Sequence, residues 1–323
     1  MKFTYIGIDI AKDDFVSFVR FSNSKPSAFK NSTKGINKFI NKLPDNPWCF
    51  MEATGVYSIR LATALYEKGI RVSVINPLQI KRFAQTKLKR AKTDRVDAHL
   101  IAEYGDKMKP QLFTPIPHFI HQLQQKSALL RQLIKTSSAL KNQLKTFKQL
   151  PNPDEQTLNG CQSMIQTITE QLENIELQMV DLTNLHCKKL FHQLQTIPGI
   201  STKASLELII VSGMFKNFYS AKQFSAFIGI CPSINESGKS IRGYRGISRI
   251  GSSYTRAILY LCTMNDFRYN AQCKALYDRL TANGKPGKVA LIAVANKLIR
   301  QVFGMVKSGE NYCSQTDLNT SKR

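Results

Sequence analysis

Soft-metal chemistry has no ligand set in this sequence. Its seven cysteines, at 49, 161, 187, 231, 262, 273 and 313, are scattered, odd in number and never paired as C-x-x-C. That pattern argues against a zinc ribbon and against a disulfide framework, so the thiols are expected to be reduced. The five histidines have no ligand-like spacing either. No uninterrupted apolar run is long enough to span a bilayer, and Met1-Lys2 leads directly into a strand-like run with no secretory cleavage pattern. A cytoplasmic protein with no membrane partner is therefore expected. Acidic residues are the other shortage: 22 Asp and Glu against 46 Lys and Arg leave a net charge of +24. Such an excess points to a polyanionic partner, and nucleic acid fits better than a membrane because no basic amphipathic anchor is evident. A merely soluble basic surface is the plainer reading of charge alone.

A chain of 323 residues is long enough for two or three domains. It opens with an apolar strand over 3–12 that delivers Asp9 near its end. Residues 16–22 and 26–32 are expected to follow as antiparallel strands, and a short amphipathic helix is predicted over about 33–43. A second buried strand, Pro47 to Met51, ends on Glu52 before the turn Ala53-Thr54-Gly55. A helix over 57–69, a strand over 71–77 and a helix over 92–105 stopped by Gly105 complete the region. This β-β-β-α-β-α-β order predicts a mixed sheet with helices packed on it.

Four carboxylates stand out within that order. Asp9 and Glu52 each terminate a core strand, while Asp94 and Asp97, three residues apart, share a helix face. Like charges that close together require a cation or a basic partner. Carboxylates at strand ends converge where open α/β sheets bind ligands. Oxygen donors without His or Cys suit Mg²⁺ or Mn²⁺, hard ions that also bind phosphate. A plainer account makes Asp94 a helix cap and Asp97 a first-turn residue favoured by the helix dipole. Between them lies a basic stretch of Lys81, Arg82, Lys87, Lys89, Arg90 and Lys92, able to track a phosphate backbone or to form a solvated helix face.

Residues 118–150 change character to Gln, Lys and Leu, and a break at Pro151-Asn152-Pro153 precedes a second long helix. In that helix Cys161, Ile165, Ile168, Leu172, Ile175, Met179 and Leu182 alternate steps of four and three, a coiled-coil seam. The two helices are expected to form a hairpin or to pair between chains. Beyond them, Ile197-Pro198-Gly199-Ile200 and the helix after it resemble a helix-hairpin-helix phosphate grip. Residues 237–256 read as a glycine-rich loop in which five serines lie among Lys239, Arg242, Arg245, Arg249 and Arg256. Glycine admits a phosphate to the backbone, arginine binds it, and a serine hydroxyl can attack phosphorus. Chemistry alone does not choose among Ser237, Ser240, Ser248, Ser252 and Ser253, and a phosphate-gripping loop with no nucleophile is an equal reading.

GIDIAK at 7–12, EATG at 52–55, VINP at 74–77 and KTDRVDA at 92–98 together resemble the DEDD transposases of one insertion-sequence family, which includes the Piv-type DNA invertases. The resemblance extends over about 5–310, through Ser237-Gly238, Ser240, Arg242-Gly243 and Ile247-Ser248-Arg249-Ile250-Gly251. It implies a ribonuclease H-like domain over 1–112, a coiled-coil arm over 113–190 and a small mainly helical domain over 191–310, followed by a polar tail over 311–323. It further implies a Mg²⁺ (or Mn²⁺) site at Asp9, Glu52, Asp94 and Asp97, with Ser237 as the nucleophile that becomes linked to DNA. The implied partners are donor and target DNA, a non-coding bridge RNA as guide, and further copies of the chain as a dimer or tetramer on a bacterial nucleoid. A metal-dependent nuclease or junction resolvase, and a non-catalytic nucleic-acid-binding protein, are the competing readings.

Overall fold

The computed structural model describes residues 3–22, 25–87, 94–237, 241–248 and 250–313. The chain divides into two compact units, residues 1–115 and 116–323.

Five strands build the first unit: β1 (Thr4–Ile10), β2 (Asp14–Val19), β3 (Ser27–Lys30), β4 (Pro47–Glu52) and β5 (Arg71–Ile75). They form one sheet in the order β3-β2-β1-β4-β5. The β1–β2 and β2–β3 pairs are antiparallel, and β1–β4 and β4–β5 are parallel. The mixed sheet expected from the element order is thus present. Strand alternation divides the apolar residues between two faces. Ile6, Ile8, Ile10, Cys49, Met51 and Val72 face α1 (Thr33–Ile40) and α2 (Val56–Glu67), where Phe39, Leu61 and Leu65 complete one core. Tyr5, Trp48, Phe50 and Ile75 face α3 (Pro77–Thr86) and α4 (Asp94–Met108), where Ile80, Leu100, Ile101 and Tyr104 complete the other. Burial of Cys49 raises its thiol pKa, as for a small apolar side chain with no reactive role.

α4 lies directly on strand backbone. A Cβ at Gly7 would fall 2.0 Å from the Ala98 carbonyl oxygen and 2.4 Å from the Ala102 nitrogen. Gly105, expected to stop this helix, instead lies within it, because α4 continues to Met108. A Cβ there would meet the Phe50 ring at 2.4 Å, so the glycine answers a close approach and not a chain reversal.

In the second unit α5 (His118–Phe147) and α6 (Glu155–Gln195) pack against each other as neighbours in one chain. Of the seam read from the sequence, only its second half joins the core of this unit: Ile175 and Met179 are buried together with Leu123 and Leu130 of α5, and Leu172 and Leu182 pack against them. Phe119 stacks on His186 with ring centroids 4.5 Å apart. α6 is interrupted at Cys187, whose φ of −151° and ψ of 40° are not helical. α7 (Thr202–Ser212), α8 (Ala221–Ile228), α9 (Ser253–Tyr269), α10 (Ala271–Ala282) and α11 (Gly287–Ser308) surround the remaining core. α11 is apolar and long enough to cross a membrane, the one such helix among the described residues. Its Val294, Leu298, Ile299 and Val302 are buried in the core of this unit. The glycine-rich stretch read as a loop over 237–256 instead supplies β7 (Ile241–Ile247), which pairs antiparallel with β6 (Pro232–Ser237) as a two-stranded hairpin. Ile and Tyr, both favoured in strands, recur along the hairpin at Ile234, Ile241, Tyr244 and Ile247.

Candidate active site

Strand register brings the first two carboxylates together. β1 and β4 run parallel with Ile8 paired to Met51, so Asp9 and Glu52 occupy the next, adjacent positions. Both belong to the face that bears Tyr5, Gly7, Trp48 and Phe50, because side chains alternate along each strand. Both are half-buried. Glu52 closes its strand and is paired with Ile75 of β5.

α4 brings Asp97 to the same end. Ala98 and Ala102 sit over Gly7, and further along the helix Asp106 is ion-paired to Arg20 at 2.8 Å. The Arg20 amide bonds the Tyr5 carbonyl near the start of β1. The helix therefore runs opposite to β1, and its first turn lies toward the strand end that carries Asp9. Among the described residues no group of three or more His, Cys, Asp and Glu side chains is close enough to hold a metal. Asp94 is the first residue of α4, and its side chain lies outside the described residues.

The turn after Glu52 contributes a group that sequence reading passed over as a simple bend. The Ala53 amide donates to the Ile75 carbonyl and the Thr54 amide to the Glu52 carbonyl, both at 2.9 Å. Gly55 then takes φ 63°, a reversal open to glycine, and α2 begins. The Thr54 Oγ1 is shielded from solvent and has no hydrogen-bond partner among the described residues. An orphaned buried hydroxyl costs about 1–3 kcal/mol, so its presence needs a reason.

The basic stretch separates into different roles. Lys81 and Arg82 are exposed on α3, with Arg82 Nη1 donating to Gln85 Oε1 at 3.2 Å. Lys87, expected on the same phosphate track, is bonded to Glu103 at 2.7 Å, and Lys107 approaches the same carboxylate at 3.2 Å. The Lys87 hydrogen bond, helped by Lys107, holds the Glu103 carboxyl down to about 2. Lys87 thus ties the end of α3 to α4. Lys89, Arg90 and Lys92 lie outside the described residues.

In the second unit Ser237 is the last residue of β6, paired with Ile241 across the hairpin. Arg242 and Arg245 lie on β7, opposite Glu236 and Ser233. The side chains of Ser237, Arg242 and Arg245, together with all of Lys239, Ser240 and Arg249, lie outside the described residues. Arg256, expected to contact phosphate, has a structural task within the protein. Its Nη1 donates to the carbonyls of Ile228 at 3.0 Å, Gly251 at 3.1 Å and Ile250 at 3.2 Å. The Ser248 amide donates to the Cys231 carbonyl at 3.0 Å, closing the hairpin at its base. Beside this clamp, buried Glu207 accepts a hydrogen bond from Thr255 Oγ1. Burial raises the Glu207 pKa, while Thr255 and Arg131 oppose the rise.

A family profile described as a transposase matches residues 6–150, and one described as the transposase IS116/IS110/IS902 family matches residues 191–278. The pilin gene-inverting protein of Moraxella lacunata is 30% identical over 329 residues, covering 97% of this chain and 98% of its own. Its counterpart in Moraxella bovis is 29% identical over 331 residues, with the same coverage of 97% and 98%. The transposase for insertion sequence element IS1328 of Yersinia enterocolitica is 24% identical over 337 residues, covering 95% of this chain and 97% of its own.

Proposed function

Because the chain belongs to the IS116/IS110/IS902 transposase family of DNA-recombining enzymes, we propose that it cuts and rejoins DNA through a covalent bond to Ser237. The first unit is read as a ribonuclease H-like domain in which Asp9, Glu52, Asp94 and Asp97 hold Mg²⁺ or Mn²⁺. The observation that carries this reading is the pairing of Asp9 and Glu52 at adjacent strand ends on one face, with the start of α4 directed to that end. A donor set made only of carboxylates suits a hard ion. When bound, such an ion neutralises phosphate charge and favours displacement at phosphorus.

In the proposed step the Ser237 oxygen bonds to phosphorus, and the phosphorus–oxygen bond to one sugar breaks. That sugar departs as a hydroxyl and takes up a proton, while the serine proton leaves to a base. Glu236 neighbours Ser237 in the chain, but successive positions of an extended strand belong to opposite faces, so it is not proposed as that base. Between residues 217 and 264 there is no other His, Asp or Glu, so the base is a group outside the hairpin. The ester conserves the phosphodiester bond energy, so rejoining needs no ATP. The relatives named for gene inversion and for transposition suit the same chemistry at two kinds of DNA junction. The large positive charge supports a second polyanion beside DNA, and a non-coding guide RNA is proposed for that role. Strand exchange joins two sites, which favours a dimer or tetramer.

The test uses a nicked suicide substrate and maps the adduct by mass spectrometry. A phosphoserine ester at Ser237 is expected. An adduct at Ser240 would move the assignment, and product ends free of protein would favour a nuclease.

A further inference from the structure

We infer that the Thr54 hydroxyl binds the DNA substrate, donating a hydrogen bond to a non-bridging oxygen of the phosphodiester brought to Asp9 and Glu52. This rests on the carboxylate reading above and adds to it a residue outside the acidic set. Three observations converge on the hydroxyl. Its oxygen is buried and has no partner among the described residues, although buried polar atoms are nearly always satisfied. Its backbone is pinned from two sides, by the Thr54 amide on Glu52 and by the Ala53 amide on Ile75, both at 2.9 Å. The hydroxyl is therefore held beside the end of β4 where Glu52 stands.

The third observation is the electrostatic setting. α2 begins at Val56, one residue after Gly55, with no side-chain cap and no acidic residue in its first turn. The positive end of that helix is thus not neutralised by its own sequence, which favours an anion near Thr54. Carboxylates alone repel a phosphate. A neutral hydroxyl offsets part of that repulsion without competing, as a lysine would, for the carboxylate oxygens.

Thr54→Val keeps the side-chain shape and removes the donor, while Thr54→Ser keeps the donor. Strand cleavage is measured on a supercoiled plasmid carrying this gene with its flanking DNA, in Mg²⁺. Thr54→Val should cleave about 10- to 100-fold more slowly, the range of one hydrogen bond to a charged group. Thr54→Ser should stay within about threefold of wild type on the same principle. The melting temperature of Thr54→Val should be unchanged or higher, because an orphaned polar group has been deleted, and its Mn²⁺ affinity by calorimetric titration should equal that of wild type. Cleavage at the wild-type rate, a lowered melting temperature, or weakened Mn²⁺ binding would each overturn the inference. Asp9→Asn separates the two levels. If that variant is inactive while Thr54→Val is fully active, the carboxylate reading stands and the Thr54 inference alone falls. If Asp9→Asn is fully active, both fall.

Discussion

The two units hold their candidate reactive groups by different means. In the first, Asp9 and Glu52 stand on adjacent buried strands, and the helix bearing Asp94 and Asp97 rests on the backbone of one of them at Gly7. In the second, Ser237 ends one strand of a two-stranded hairpin, which is closed at its base by Ser248 and by the Arg256 clamp. A two-stranded ribbon has little stability of its own, so the register of Ser237 depends on that base. The difference teaches that acidic geometry is set by the core, whereas serine geometry is set by a few hydrogen bonds to carbonyls.

The comparison breaks first at the carboxylates. Asp9→Asn should lower cleavage and recombination in Mg²⁺ to background and leave far-UV circular dichroism unchanged. Full recombination by this variant would remove the acidic site from the scheme. Next in size is Gly7→Ala, which drives a methyl group into the Ala98 carbonyl and should destabilise the first unit by about 3 kcal/mol. Trp48, the sole tryptophan, is buried in this unit, so its fluorescence in urea reports the first unit selectively.

Arg256→Met should cost about 1–3 kcal/mol by depriving three carbonyls of a donor. It should leave the Trp48 midpoint in place and shift only the helical signal. A common shift in both probes would show that the units unfold together. Smaller still is the effect on nucleic-acid affinity. Its logarithm should fall against the logarithm of salt with a slope of about −0.9 per phosphate contact on duplex DNA. Lys81→Gln or Arg82→Gln should each flatten that slope by about one contact, whereas Lys87→Gln should not.

The smallest effect is in acid. Glu103 titrates near 2 in the folded protein, below its ordinary value of 4.5. Its contribution to stability is therefore complete above that ordinary value and fades as the pH falls toward about 2. Lys87→Met removes the first cause of the depression, so its Trp48 midpoint should change less with pH over that window. An unchanged pH dependence would place the coupling elsewhere.

Much of this was legible in the chain. Strand-end Asp9 and Glu52 could be read because a buried strand is a short apolar run with a visible end, and parallel pairing makes such ends neighbours. The position of α4 could not be read, since nothing local tells a helix-stopping Gly105 from one pressed on Phe50. The hairpin at 232–247 was hidden by its glycines, which satisfy a loop template as well as a ribbon. The intramolecular partners of Lys87 and Arg256 could not be read, because charge type carries no information about which carboxylate or carbonyl the fold brings near. Thr54 was hidden for a further reason: a hydroxyl becomes conspicuous only when its surroundings are seen to leave it unpaired.

The contact of α4 with β1 at Gly7 has a consequence for divergence. Where helix and strand are separated by side chains, a Leu-to-Val change alters their spacing, and anything mounted on the helix moves with it. Here the spacing is set by peptide groups, whose dimensions are the same in every lineage. Substitutions at Leu100, Ile101 or Tyr104 can accumulate around the contact while the height of Asp97 above the sheet stays nearly constant. The same contact leaves no tolerance at position 7 itself, so drift around the helix and immobility beneath it are two results of one missing side chain.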